Sequence, residues 1–75
     1  MFLIYGKQDC NSCVQAKQLL DTLELDYTYK VLGDDYDLSE FYSIAPRSHR
    51  AFPMIAKDGK YLGGLQELKG EISGV

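Results

Sequence analysis

Apolar residues recur in two distinct rhythms along these 75 residues. Phe2-Leu3-Ile4-Tyr5 is a short continuous apolar run that ends at Gly6, the pattern of a buried strand. From about Asn11 the spacing changes. Cys13, Ala16, Leu19, Leu20 and Leu23 follow the i, i+3, i+4, i+7 rule of one helix face, so the first helix should run to about Leu23. Tyr27-Thr28-Tyr29-Lys30-Val31-Leu32 is rich in β-branched and aromatic residues and reads as a second strand, which completes a right-handed parallel unit. Gly33-Asp34-Asp35 reads as a turn. Asp37 precedes Leu38 and has Glu40 three residues later, an arrangement like a capping box, so a short helix is expected from about Leu38 to Ile44. It must stop before Pro46, which also restricts Ala45. Pro53-Met54-Ile55-Ala56 and Lys60-Tyr61-Leu62 flank Asp58-Gly59, a strong two-residue hairpin signal. An amphipathic piece from about Leu65 to Ile72 should form the last helix. The order is β-α-β-α-β-β-α in a single domain, 1–75, without repeats or linkers.

Composition narrows the functional classes. With 45% hydrophobic and 25% charged residues the chain is ordinary globular rather than disordered, and no apolar run approaches the ~20 residues that span a bilayer. A net charge of -3, with no basic cluster among aromatics, argues against a nucleic-acid surface. No basic segment followed by a long apolar stretch stands at the N-terminus, so no secretory leader is visible and a cytoplasmic, reducing environment is expected.

Both cysteines lie in Cys10-Asn11-Ser12-Cys13. Only roughly one random pair of positions in forty has this spacing, and it falls where a strand hands over to a helix. Thiolate, not thiol, attacks disulfides, and the free N–H groups at a helix head stabilise that anion. Cys10 is therefore the expected nucleophile. Cys13 belongs to the core-facing stripe and becomes the resolving thiol. Lys7 adds positive charge three residues upstream while Asp9 opposes it. A structural zinc site would need four ligands, and only His49 is left as a further good candidate; a purely structural disulfide would require an oxidising compartment. A redox dithiol is the better reading, with no metal.

Several motifs resemble those of the glutaredoxin family, within the thioredoxin superfamily. Lys7 to Cys10 is similar to K-x-x-C, Cys13-Val14-Gln15-Ala16-Lys17-Gln18-Leu19-Leu20 to C-V-x-A-K-x-L-L, Arg50-Ala51-Phe52-Pro53 to R-T-V-P, and Gly63-Gly64 to the paired glycines before the last helix. These cover nearly the whole chain in the right order, and its shortness looks most like virus-encoded glutaredoxins, which would act in a host cytosol. The resemblance implies a thioredoxin-like α/β fold, a four-stranded mixed sheet flanked by three helices. It also implies a cis Phe52–Pro53 bond facing the dithiol and a Phe52 backbone that pairs with an incoming cysteinyl peptide. X–Pro bonds lose only about 0.5–1 kcal/mol on going cis.

As co-substrate the resemblance implies glutathione, with no bound cofactor. Lys7 and Arg50 would meet its glycine carboxylate. The head of the last helix, Gly64, Leu65 and Gln66, would bind the γ-glutamyl carboxylate, and Glu67 the ammonium. Ser12, Phe52 and Pro53 would line the same groove. The implied activity is glutathione-disulfide and protein-disulfide oxidoreduction by a monomer, with ribonucleotide reductase as the type of protein partner and hence a place in deoxyribonucleotide synthesis and electron transport. Departures are visible. Asn11 and Ser12 replace the proline and tyrosine of C-P-Y-C, Ala51 replaces a threonine, Gln66 stands where a small polar or acidic residue is frequent, and Asp9-Cys10 is closer to redoxins recharged by thioredoxin reductase. A glutathione-ligated [2Fe-2S] carrier is a further alternative. His49, as a lone loop histidine, is expected to face solvent, and the six tyrosines to serve core and rim packing.

Overall fold

The computed structural model describes residues 1–73. It contains β1 (Phe2–Gly6), α1 (Asn11–Thr22), β2 (Tyr27–Val31), α2 (Leu38–Ile44), β3 (Met54–Lys57), β4 (Lys60–Gly63) and α3 (Leu65–Ser73). The sheet order is β2-β1-β3-β4. β1 and β2 run parallel, with Phe2 opposite Tyr27 and Gly6 opposite Val31, and the other two pairings are antiparallel. This is the expected element order and a four-stranded mixed sheet.

Alternation along β1 sends successive side chains to opposite faces, and each face has its own core. Phe2 and Ile4 pack with Ala16, Leu20, Ile55 and Leu68, under α1 and α3. Tyr5 and Met54 pack on the other face with Tyr36, Phe41 and Ala45, under α2. Ile4, Leu20, Met54, Ile55 and Leu68 are wholly buried, each contributing about 1.5–3 kcal/mol of transfer free energy. Two thin cores on one sheet suffice for a chain this short.

Local chemistry ends each element where the sequence signals it. Asp58 and Gly59 take φ of 53° and 81°, the two left-handed residues of a type I′ hairpin turn. α1 closes in a Schellman turn: Glu24 donates to the Asp21 carbonyl and Leu25 to the Leu20 carbonyl, with Glu24 at φ 56°. Leu23, expected on the buried stripe, is the C-cap of that turn and is 43% exposed, because unwinding at the helix end rotates it off the core face. The Asp37 carboxylate accepts the Glu40 N–H at 3.0 Å and caps α2. The capping box, however, is only half built. The Glu40 carboxylate turns inward to accept Lys30 Nζ at 2.6 Å and the Tyr5 hydroxyl at 3.1 Å, since two strong donors on the sheet outcompete one backbone N–H.

Candidate functional site: a dithiol at the head of the first helix

Because β1 ends at Gly6, β3 begins opposite Tyr5 with Met54, and β4 ends at Gly63 opposite Ile55, three chain reversals meet at one end of the sheet. The first carries the dithiol. Cys10 is the N-cap of α1, with extended φ and ψ of -121° and 103°, and its sulfur accepts the Cys13 N–H at 3.2 Å. The two cysteines are joined as a disulfide across a Cα separation of 5.3 Å. Cys10 is half-buried, whereas Cys13 has no exposed surface. Lys7, Gln8 and Asp9 lie exposed before the pair, and Asp9 takes φ 55° to turn the chain into the helix.

The second reversal carries the Phe52–Pro53 bond, which is cis. Lys7 Nζ sits over the Phe52 ring, 5.1 Å from its centroid, and ties this loop to the dithiol loop. The third reversal is Gly63-Gly64. A Cβ on Gly64 would lie 3.6 Å from the Pro53 carbonyl oxygen and 3.7 Å from His49 Cε1, so this turn abuts the proline loop. At the head of α3 the Glu67 carboxylate accepts the Gly64 N–H at 2.7 Å. Leu65 is half-buried against the main core, and Gln66 is exposed. Ser12 is half-buried in the first turn of α1. Arg50 is exposed and, with Arg47 and Tyr42, lines a cavity of about 330 Å³ beside α2. The structure thus brings together Lys7 with Phe52, Pro53 with Gly64, and Gly64 with Glu67. Arg50 opens onto the α2 side of its loop.

His49 is half-buried rather than free in solvent. Its Nδ1 is 2.7 Å from the Tyr61 hydroxyl, its carbonyl accepts the Tyr42 hydroxyl at 3.2 Å, and its ring leans on Phe41; Nε2 is buried with no partner among the described residues. It clamps the proline loop to α2 and β4. Nothing local signals this, since the partners lie on separate elements. Arg47, which lines the same cavity as Arg50, carries no sequence signal beyond its proximity to Arg50.

Under the dithiol the tyrosines are more than packing. Tyr36 donates its hydroxyl to the Gly6 carbonyl at 2.7 Å, and its ring meets Tyr5 edge-on. Burial, then the Glu40 carboxylate, pushes Tyr5 up to about 12. Burial together with Tyr29 and Tyr5 raises Tyr36 as well. The Lys30 ammonium, then the Tyr5 hydroxyl, holds Glu40 below the usual carboxylate range. These hydroxyls therefore stay protonated donors, and the negative charge on this floor, the Glu40 carboxylate, is paired with Lys30.

A half-buried cysteine whose sulfur accepts a helix N–H, with its enclosed partner one turn further, is suited to exchange with an external disulfide. With this sheet order it places the molecule among the thioredoxin-fold proteins that carry a redox-active disulfide pair. The family model for glutaredoxin matches residues 2–62, and the chain belongs to the glutaredoxin family, whose members are thiol–disulfide oxidoreductases. Among solved structures it is similar to glutaredoxin 1 from Francisella tularensis in complex with cacodylate, at 26% identity over 97% of this chain and 92% of that one, with a TM-score of 0.72. Reduced Escherichia coli glutaredoxin superposes with a TM-score of 0.83 at 22% identity, covering 97% and 93% of the two chains. A buckwheat glutaredoxin–glutathione complex gives 0.77 at 22% identity, covering 97% and 69%. No curated protein sequence matches significantly. Among the described residues no helix is long and apolar enough to cross a membrane.

Proposed function

We propose that this chain is a dithiol glutaredoxin that reduces protein disulfides and glutathione mixed disulfides at the expense of glutathione. The observation that carries the reading is the asymmetry of the pair: Cys10 is half-buried with a helix N–H on its sulfur, and Cys13 is wholly enclosed. Cys10 thiolate attacks a substrate disulfide and forms a mixed disulfide. Cys13 then attacks Cys10, releases the reduced substrate and leaves the pair oxidised. Glutathione recharges it through a Cys10–glutathione mixed disulfide. In this reading the protein acts as a cytoplasmic monomer on partners such as ribonucleotide reductase.

Glutathione contacts follow the same reading. Lys7 and Arg50 serve the glycine carboxylate. The Phe52 backbone, two residues outside the β1–β3 ladder that ends at Met54, pairs with the cysteinyl backbone, and Ser12 and Pro53 line the groove. At α3 the Gly64 N–H is already held by Glu67, so the γ-glutamyl carboxylate has the N–H groups of Leu65 and Gln66, which have no partner within a helix. Glu67 keeps lone pairs free for the ammonium. Cys10→Ser should abolish every exchange reaction. Cys13→Ser should lose protein-disulfide reduction but retain deglutathionylation, which needs one thiol; equal loss in both assays would overturn the assignment.

One observation favours a second reading, recharging by thioredoxin reductase: the Glu67 carboxylate already takes the Gly64 N–H, one of the helix-head donors that a γ-glutamyl carboxylate would use. Turnover of the oxidised protein by thioredoxin reductase, with none by glutathione and glutathione reductase, would select it.

A further inference from the structure

Behind the dithiol, β1, β2 and α1 converge on one point. A methyl placed on Gly6 would lie 2.7 Å from the Tyr29 hydroxyl oxygen and 3.2 Å from Cys13 Cβ. Ile4 is the register partner of Tyr29 in the parallel ladder, so Tyr29 shares the α1 face of the sheet with Ile4 and, two residues on, with Gly6. Its ring packs against the main core beneath the helix, with Lys17 Nζ 5.7 Å from the ring centroid. Glycine at position 6 leaves this hydroxyl and Cys13 Cβ flanking the space that a methyl would fill.

The other five tyrosines each engage a partner through the hydroxyl. That of Tyr29 has none among the described residues. Cys13 has a matching need. It is fully enclosed, and a buried thiolate without a donor is disfavoured. Its own backbone N–H serves the Cys10 sulfur.

We propose that Tyr29 is a positioning residue for the resolving thiol, its hydroxyl donating a hydrogen bond to the Cys13 sulfur in the reduced protein and holding it as a thiolate ready to attack Cys10. The inference rests on the dithiol reading above. Cys13 loses its proton to water, and its sulfur forms a bond to Cys10. The bond from Cys10 to the substrate sulfur breaks, and the electron pair leaves on that sulfur, which takes a proton from water. The dithiol is oxidised by two electrons and the substrate disulfide is reduced to two thiols. Burial raises the Tyr29 phenol above its ordinary value, so it stays a donor throughout the working range. The titratable groups around this point are Lys17 from α1, Cys10 with Asp9 beside it, and Tyr36 on the Gly6 carbonyl, whose own neighbours are Tyr5 and Glu40.

The test uses Cys10→Ser, which leaves Cys13 as the sole thiol, so that ultraviolet thiolate absorbance titrates it alone. Adding Tyr29→Phe should raise the Cys13 midpoint by about one pH unit, roughly tenfold less thiolate at a given pH. Gly6→Ala, whose methyl displaces the hydroxyl, should move it the same way. In the full dithiol protein Tyr29→Phe should slow release of reduced substrate about tenfold near neutrality, with the lost rate recovered about one pH unit higher. An unmoved midpoint overturns the proposal, as does a rate loss equal at every pH, which marks mere packing. A shifted midpoint in a protein whose wild type reduces no disulfide would support the contact and overturn the functional reading instead.

Discussion

Replacing Gly63 by alanine should be far more damaging than the same change one residue later. Gly63 has φ 142°, a conformation essentially reserved for glycine, so any side chain there costs about 1–3 kcal/mol. The new methyl would also overlap Glu67 Cγ and stand 2.7 Å from Glu67 Cβ and 2.8 Å from Oε1. Glu67 must then swing away and release the Gly64 N–H, which costs about 1 kcal/mol more. Reduced freedom of the unfolded chain offsets about 0.4–1 kcal/mol. The net loss is about 1–3.6 kcal/mol, against a total stability of about 4–11 kcal/mol for a domain of this length. At about 4–8 °C per kcal/mol, Tm should fall by at least about 4 °C. Gly64 has no positive φ, and a methyl there meets Glu67 Oε1, Pro53 O and His49 Cε1 at 3.5, 3.6 and 3.7 Å, ordinary contact distances. Gly64→Ala should therefore stay within about 0.5 kcal/mol of wild type while crowding the groove between α3 and the proline loop. Urea and thermal unfolding followed by circular dichroism give both numbers. Equal losses for the two variants, or a loss below about 1 kcal/mol for Gly63→Ala, would refute the reasoning.

Glu67→Gln keeps an acceptor for the Gly64 N–H but removes the charge, so it should leave Tm nearly unchanged and raise KM for a glutathionylated substrate; an unchanged KM would confine Glu67 to capping. Gly70→Ala, within α3 and with nothing inside 4 Å of the added methyl, should stabilise by about 0.5–1 kcal/mol, and a loss would contradict a helix through this point. Stability should fall as pH rises from 10.0 to about 12, because unfolded chains lose the Tyr5 and Tyr27 protons at the ordinary value while the native state holds them until about 12. Flat urea midpoints across that window would refute it. Glu40 titrates below its ordinary value, so its contribution is complete above that value and drains as pH falls through the lowered one; Glu40→Gln should flatten this acid limb.

What the sequence by itself determined is whatever depends on neighbours within a turn or two. The 3.6-residue spacing of Cys13, Ala16 and Leu20 placed α1, with Cys10 at its head and Cys13 inside. Asp37 before Leu38 and Pro46 after Ile44 bounded α2, and Asp58-Gly59 closed the hairpin. Only the tertiary structure decided where side chains with several possible partners would go. Glu40 looks like half of a capping box, yet its carboxylate goes to Tyr5, 35 residues away in sequence, and to Lys30. Gly63 and Gly64 are identical letters, distinguished by a φ angle and by the side chain lying over one of them. His49 and Tyr29 carry no local mark at all, because the hydroxyl and ring that His49 meets, and the glycine and thiol that Tyr29 meets, are brought by other strands and helices. Caps, turns and periodicity arise from contacts along the chain. Long-range partnerships exist only after the sheet has folded β3 and β4 against β1, and nothing in a local run of residues encodes them.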